Sequence, residues 1–139
     1  KYLGLDETLR YDGPLNKAKV AGEYDKRIRK VWASELSATH KVIAHNSFAV
    51  PVLTPTFGIL GWTIDELKAI DIKTRKLLAL TRNFAITSDV DRLYLPRNEG
   101  GRGLKEIFSA FKSRITSLQK HLESASITNP FLKKVLEYE

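Results

Sequence analysis

The stretch "TIDELKAIDIKTRKLLAL", residues 63–80, decides the fold. Thr63 and Glu66 have capping-box spacing. The threonine hydroxyl can accept from an early backbone N–H, while the glutamate reaches back to the Thr63 N–H. Leu67, Ile70, Thr74, Leu77 and Leu78 then recur on one helix face to about residue 82. Asp71 and Arg75 stand at i and i+4, which reads as a surface ion pair of only ~0.3–0.5 kcal/mol.

Working upstream, Val20, Tyr24, Ile28, Val31 and Leu36 predict an amphipathic helix over about 16–36. Ser37 reads as the N-cap of a second helix, "SATHKVIAHNSFAVPVL"; Pro51 inside it and Pro55 at its end imply a kink or early stop. "FGILGW" at 57–62 is a turn. At the start, "KYLGL" (1–5) reads as a short strand and "RYDGPLN" (10–16) as turn chemistry, with Pro14 unable to continue a ladder.

Downstream, "DVDRLYLPRNEGGRGL" (89–104) reads as a loop, a short strand "RLYL" and a proline–glycine turn. Leu104, Ile107, Phe108, Phe111, Ile115, Leu118 and Leu122 form a continuous apolar stripe of a long helix, stopped by "TNP" at 128–130. "FLKKVLEY" is a short final helix. The expected fold is mainly α, a three- or four-helix bundle with a short β element at the N-terminus and near residue 93. Three segments divide it: 1–15, a helical unit over 16–82, and 83–139, all within one compact unit.

At 139 residues the chain suits one domain. Its 23 Lys+Arg against 16 Asp+Glu give a net charge of +7 and a pI near 9.7. That excess favours a polyanionic partner, because cations that meet phosphates release condensed counterions. With no cysteine, disulfides, thiolate metal sites and a cysteine nucleophile are all excluded. His40, His45 and His121 lack metal-site spacing. No apolar run approaches the ~20 residues of a membrane span, and the charged start is unlike a secretory leader. The absence of methionine, even at residue 1, suggests a piece of a longer chain.

Residues 17–30 carry six basic side chains and two acids. At about 100° per residue, Lys19, Lys26 and Lys30 fall within about 40° of one another, opposite the Val20–Tyr24–Val31 face. Two readings remain open: a solvated helix face, or a track for a phosphate backbone. The "EGGRG" run also reads two ways. Arg97 and Arg102 could join glycine N–H groups around an anion, or the glycines could simply turn a corner. It matches neither a Walker A loop nor a dinucleotide fingerprint. "DVD" at 89–91 reads as cap and turn chemistry. Of the aromatic residues able to stack on bases, Tyr24 and Trp62 fit the core better. No catalytic residue, metal ligand or cofactor site emerges. A competing reading is a helical protein-interaction module, which would expose Trp32, Phe57 and Trp62 together.

Taken in order, "KYLG", the basic helix, "AHNSFAVPVLTPTFGILGWTIDELKAIDIKTRKLL" and "DRLYLPRNEGGRGL" resemble the region after the catalytic palm in reverse transcriptases of non-LTR (LINE-type) retrotransposons. The resemblance covers about residues 1–108. It implies that residues 1–15 end the palm, that 16–82 form the thumb, and that Arg97–Leu104 belong to the following linker. It further implies contacts to RNA and to RNA–DNA or DNA duplex through phosphates, with Lys19, Lys26, Arg29, Lys30, Arg97 and Arg102 as the contact residues. The polymerase's catalytic aspartates would lie upstream, with the palm and fingers of the same polyprotein, so the isolated chain would not be an enzyme. No cofactor and no membrane partner are implied, and the parent protein would act inside the cell, in the nucleus. Related sequences often carry a His-His-Pro-like run before "DVDRLYLPR"; "NFAITS" stands there instead, so no histidine role carries over.

Overall fold

A computed structural model of the chain describes residues 13–85 and 87–138; the strand expected at residues 1–5 lies outside them. Across the described residues the chain is mainly helical and contains no β-strand. Helix α1 (Gly13–Ala33) takes in part of the segment expected to be a turn. Pro14 is tolerated there because the first helical turn needs no N–H partner and the ring presets a helical φ. Tyr24, Ile28, Val31 and Trp32 form its buried face.

Ser37 caps α2 (Ala38–Ala44) by accepting from the His40 N–H at 3.4 Å. The chain does not stop at Pro51. It widens into a π turn (His45–Ala49), in which the Val50 N–H donates to the His45 carbonyl. It continues as α3 (Val50–Leu53) and a 3-10 turn (Thr54–Thr56). Pro51 brings no N–H, and its ring would press on the carbonyl four residues back. A wider turn just before it relieves both problems.

The capping box forms as expected at the start of α4 (Ile64–Leu80). Thr63 Oγ1 accepts from the Glu66 N–H at 3.3 Å and Glu66 Oε2 accepts from the Thr63 N–H at 3.0 Å. Lys17 of α1 donates to the same carboxylate oxygen and to the Gly61 carbonyl, each at 3.0 Å. Tyr24 and Thr74 share a buried 3.0 Å hydrogen bond across the α1–α4 contact. Between α1, α2–α3 and α4 the core closes around Ile28, Trp32, Leu53, Phe57, Leu67 and Leu78, none more than 2% exposed.

The expected β element near residue 93 is instead a short helix, α5 (Val90–Tyr94). Asp89 Oδ1 accepts from the Asp91 N–H at 3.0 Å, which starts the turn. Leu95 precedes Pro96, is pushed to extended backbone, and ends it. With both ends fixed locally, "RLYL" winds once and buries Leu93, rather than pairing as a strand.

Helix α6 (Ile107–Thr128) is held at its N-terminus by a residue from another element. Asp71 of α4 accepts from the Ile107 N–H at 2.8 Å and from the Phe108 N–H at 3.1 Å. It is 4% exposed, so the expected surface pair with Arg75 is absent; Arg75 donates to the Tyr94 hydroxyl at 3.1 Å instead. The apolar stripe expected from residue 104 is buried at Leu104, ahead of the helix, and at Ile107, half-buried at Phe108 and Phe111, and exposed at Leu118. Phe111 meets Phe57 edge-on with ring centres 5.5 Å apart. Asn129 then caps α7 (Pro130–Glu137), which contacts α6.

Candidate nucleic-acid interface

Lys19, Lys26 and Lys30 are exposed on the outer face of α1. From Lys19 to Lys30 the stripe runs about 16 Å along the helix axis. The two acids of α1 are both taken by arginines at i,i+4: Glu23 by Arg27 at 2.9 Å and Asp25 by Arg29 at 2.7 Å. Arg27 also reaches the Phe48 carbonyl at 2.9 Å and lies over the Phe48 ring. The hydrogen bond from Arg27 holds the Glu23 carboxyl below the usual range, and the fields of Arg27, Lys26 and Lys30 add to this. Neither Lys26 nor Lys30 forms an ion pair among the described residues. Arg29 is exposed but shared with Asp25, so its contact with a phosphate would compete with an existing partner. Lys17 is removed from any such role by its bonds to Glu66 and Gly61.

The glycine corner is a structural turn. An anion nest needs free backbone N–H groups. Here those of Gly100, Gly101, Arg102, Gly103 and Leu104 donate to the carbonyls of Arg97, Pro96, Arg92, Leu95 and Leu93 at 2.8–3.2 Å. Gly100 has φ 83°, where side chains are strained. Gly101 passes so close to Leu95 that an added Cβ would sit 2.0 Å from its carbonyl oxygen. Of the two readings of this run, the backbone follows the corner: packing consumes its donors.

Of the two arginines of this corner, Arg97 is exposed beside it. Arg102 turns back and donates through Nη1 to the Asn83 carbonyl. Asn83 Nδ2 in turn donates to the Trp32 carbonyl near the end of α1, as does Lys41 Nζ, each at 3.3 Å. Arg102 and Lys41 thus lie by hydrogen-bonded links near the end of α1 that carries Lys30. Cations there also complement the negative end of the helix dipole. Arg102 and Arg92 further line a recess of about 260 Å³ with Ser88 and Asp89. Sequence reading missed Lys41 because its approach to Trp32 depends on how α2 folds back on α1.

Trp32, Phe57 and Trp62 are 2%, 2% and 8% exposed, so they present no shared apolar patch. Among the described residues no cluster of His, Asp or Glu could hold a metal ion, and no helix is long and apolar enough to cross a membrane. Comparison with protein-family models, with curated proteins and with solved structures finds no match.

Proposed function

We propose that this chain is a nucleic-acid-binding thumb-and-linker segment of a non-LTR retrotransposon reverse transcriptase. It would clamp the template–primer duplex through phosphates while palm and fingers of the same polyprotein supply catalysis. In that setting its partners are RNA and RNA–DNA or DNA duplex, and its place of action is the nucleus. The observation that carries the reading is the α1 stripe: Lys26 and Lys30, neither in an ion pair among the described residues, stand in line with the exposed Lys19 on a helix whose two acids are both occupied by arginines. A surface that touches phosphates positions a duplex without reading its sequence. The burial of Trp32, Phe57 and Trp62 removes the patch on which a protein-interaction reading would have stood.

Three phosphate contacts give log Kobs a slope of about −2.7 against log salt on B-form DNA. Changing Lys19, Lys26 and Lys30 together to Glu should weaken duplex binding by more than tenfold at about 50 mM salt and flatten that slope. Fluorescence anisotropy with a labelled duplex measures both, and circular dichroism checks that the variant is folded. An unchanged affinity and slope in the folded triple variant would discard the stripe.

A further inference from the structure

The outer face of α6 has the chemistry of a second phosphate surface. Residues 107–122 contain no Asp or Glu but include Lys112, Arg114 and Lys120. At about 100° per residue, Ser109, Ser113, Thr116, Ser117 and Lys120 share an arc of about 100°. All five are exposed, as are Lys105, Lys112 and Arg114, which flank the arc. None of these four cations forms an ion pair among the described residues.

Two further observations bear on what lies there. First, Lys112 Nζ stands 4.4 Å from the centre of the Phe108 ring and Lys68 Nζ of α4 stands 5.3 Å from it. Each is attracted by the ring, which gathers two cations on one flank of α6. Second, one edge of the hydroxyl face forms the wall of a groove of about 520 Å³, with Val50, Thr54 and Tyr94 opposite. Ser109, Ser113 and Ser117 line it at successive steps of about 6 Å along the helix, close to the repeat of phosphates in an extended strand. Its single acid, Glu106, accepts from the Ser109 hydroxyl at 2.7 Å, so the hydroxyl donors offered to a phosphate are those of Ser113 and Ser117.

We infer that this groove and the flanking α6 cations bind a single nucleic-acid strand through its phosphodiester backbone. The inference rests on the nucleic-acid reading above but names a surface separate from the α1 stripe. A groove walled by a helix on one side and by α3 and α5 on the other admits one strand. Serine hydroxyls and lysine or arginine donors suit phosphate oxygens, and the half-buried Tyr94 ring offers a face for a base. Neither groove wall carries a base-reading set of amides, so binding should be indifferent to sequence.

The test uses the full 139-residue chain and short labelled single-stranded RNA, single-stranded DNA and blunt RNA–DNA duplex. Anisotropy is compared for Arg114→Glu/Lys120→Glu, for Lys133→Glu/Lys134→Glu on α7 as a control of equal charge, and for Lys19→Glu/Lys26→Glu/Lys30→Glu. The α6 pair should lower single-strand affinity about tenfold at low salt. Its effect on the blunt duplex should be much smaller, and the α7 pair should do little to either. Ser113→Leu, which fills the groove without altering charge, should weaken single-strand binding as well. If the α6 and α7 pairs act alike, only general charge is at work and the groove is wrong. If single-strand binding survives both Ser113→Leu and the α6 pair, the groove is likewise wrong. Failure of the α1 triple alone would remove the duplex stripe and leave the groove standing.

Discussion

Asp71 and His45 are buried ionisable groups whose responses to pH run in opposite directions. Burial pushes the Asp71 carboxyl up from 3.8 to about 6, against the pull of the Ile107 and Phe108 N–H donors. The folded protein therefore binds that proton more tightly than the unfolded chain. The Asp71 contribution is fully present below pH 3.8 and is lost as pH rises through 6. His45 is fully buried between Tyr24 and Trp32, and burial lowers its pKa from 6.5 to about 4. The Trp32 indole N–H donates to His45 Nδ1 at 3.2 Å, so the neutral ring carries its proton on Nε2. The His45 contribution is present above pH 6.5 and is lost as pH falls through 4. The two opposing trends nearly cancel between pH 4 and 6.5. Asp71→Asn removes one of them while keeping an oxygen acceptor for the helix. In urea titrations the variant should lose about 2–4 kcal/mol more than the parent on going from pH 6.5 to 4. A parallel pH dependence in parent and variant would refute the assignment of opposing groups.

At the level of elements, the π turn has a structural use. It carries Asn46, whose Nδ2 donates to the Gly103 carbonyl at 2.9 Å while Oδ1 accepts from the Lys105 N–H at 2.9 Å. One amide thereby ties the widened helix to the loop that leads into α6. Asn46→Ala should cost about 1–2 kcal/mol in chemical denaturation. Asn46→Asp should recover little of this, because it keeps the acceptor but turns a carboxylate toward the Gly103 carbonyl. Full stability in the aspartate variant would show that the Nδ2 bond contributes nothing. Asn46 also marks where sequence reading ends. Ser37, Thr63 and Asp89 were legible as caps because each bonds within three residues of itself. The α1 stripe was legible too, since helical spacing alone sets its direction. Asn46 and Asp71 were not, because their partners lie 57 and 59 residues away in one case and 36 and 37 in the other. The "RLYL" strand was misread because its alternating pattern is too short to outweigh a cap before it and a proline after it.

Over the whole molecule, a net charge of +7 on 139 residues sets up self-repulsion that the compact state must tolerate. The same repulsion makes a polyanion a stabilising ligand if it binds the folded surface in preference to the unfolded chain. An unfolded chain carries the same charges but spreads them, so only cations fixed at useful spacing give the folded state its advantage. Lys19, Lys26 and Lys30 are fixed in this way by α1, whose opposite face is anchored by Tyr24, Ile28 and Trp32 in the core. A duplex at one hundred times its dissociation constant should then add about 2.7 kcal/mol to stability. On a chain of this size that amounts to a rise of several degrees in melting temperature. Raising salt toward about 0.5 M should abolish the rise by weakening the phosphate contacts, while the free protein's own melting temperature climbs slightly as repulsion is screened. Differential scanning fluorimetry with and without duplex, over a salt series, follows both trends in one experiment. A duplex that leaves the melting temperature unmoved at low salt would mean that folded and unfolded chains bind it equally, and that the fold organises no phosphate surface.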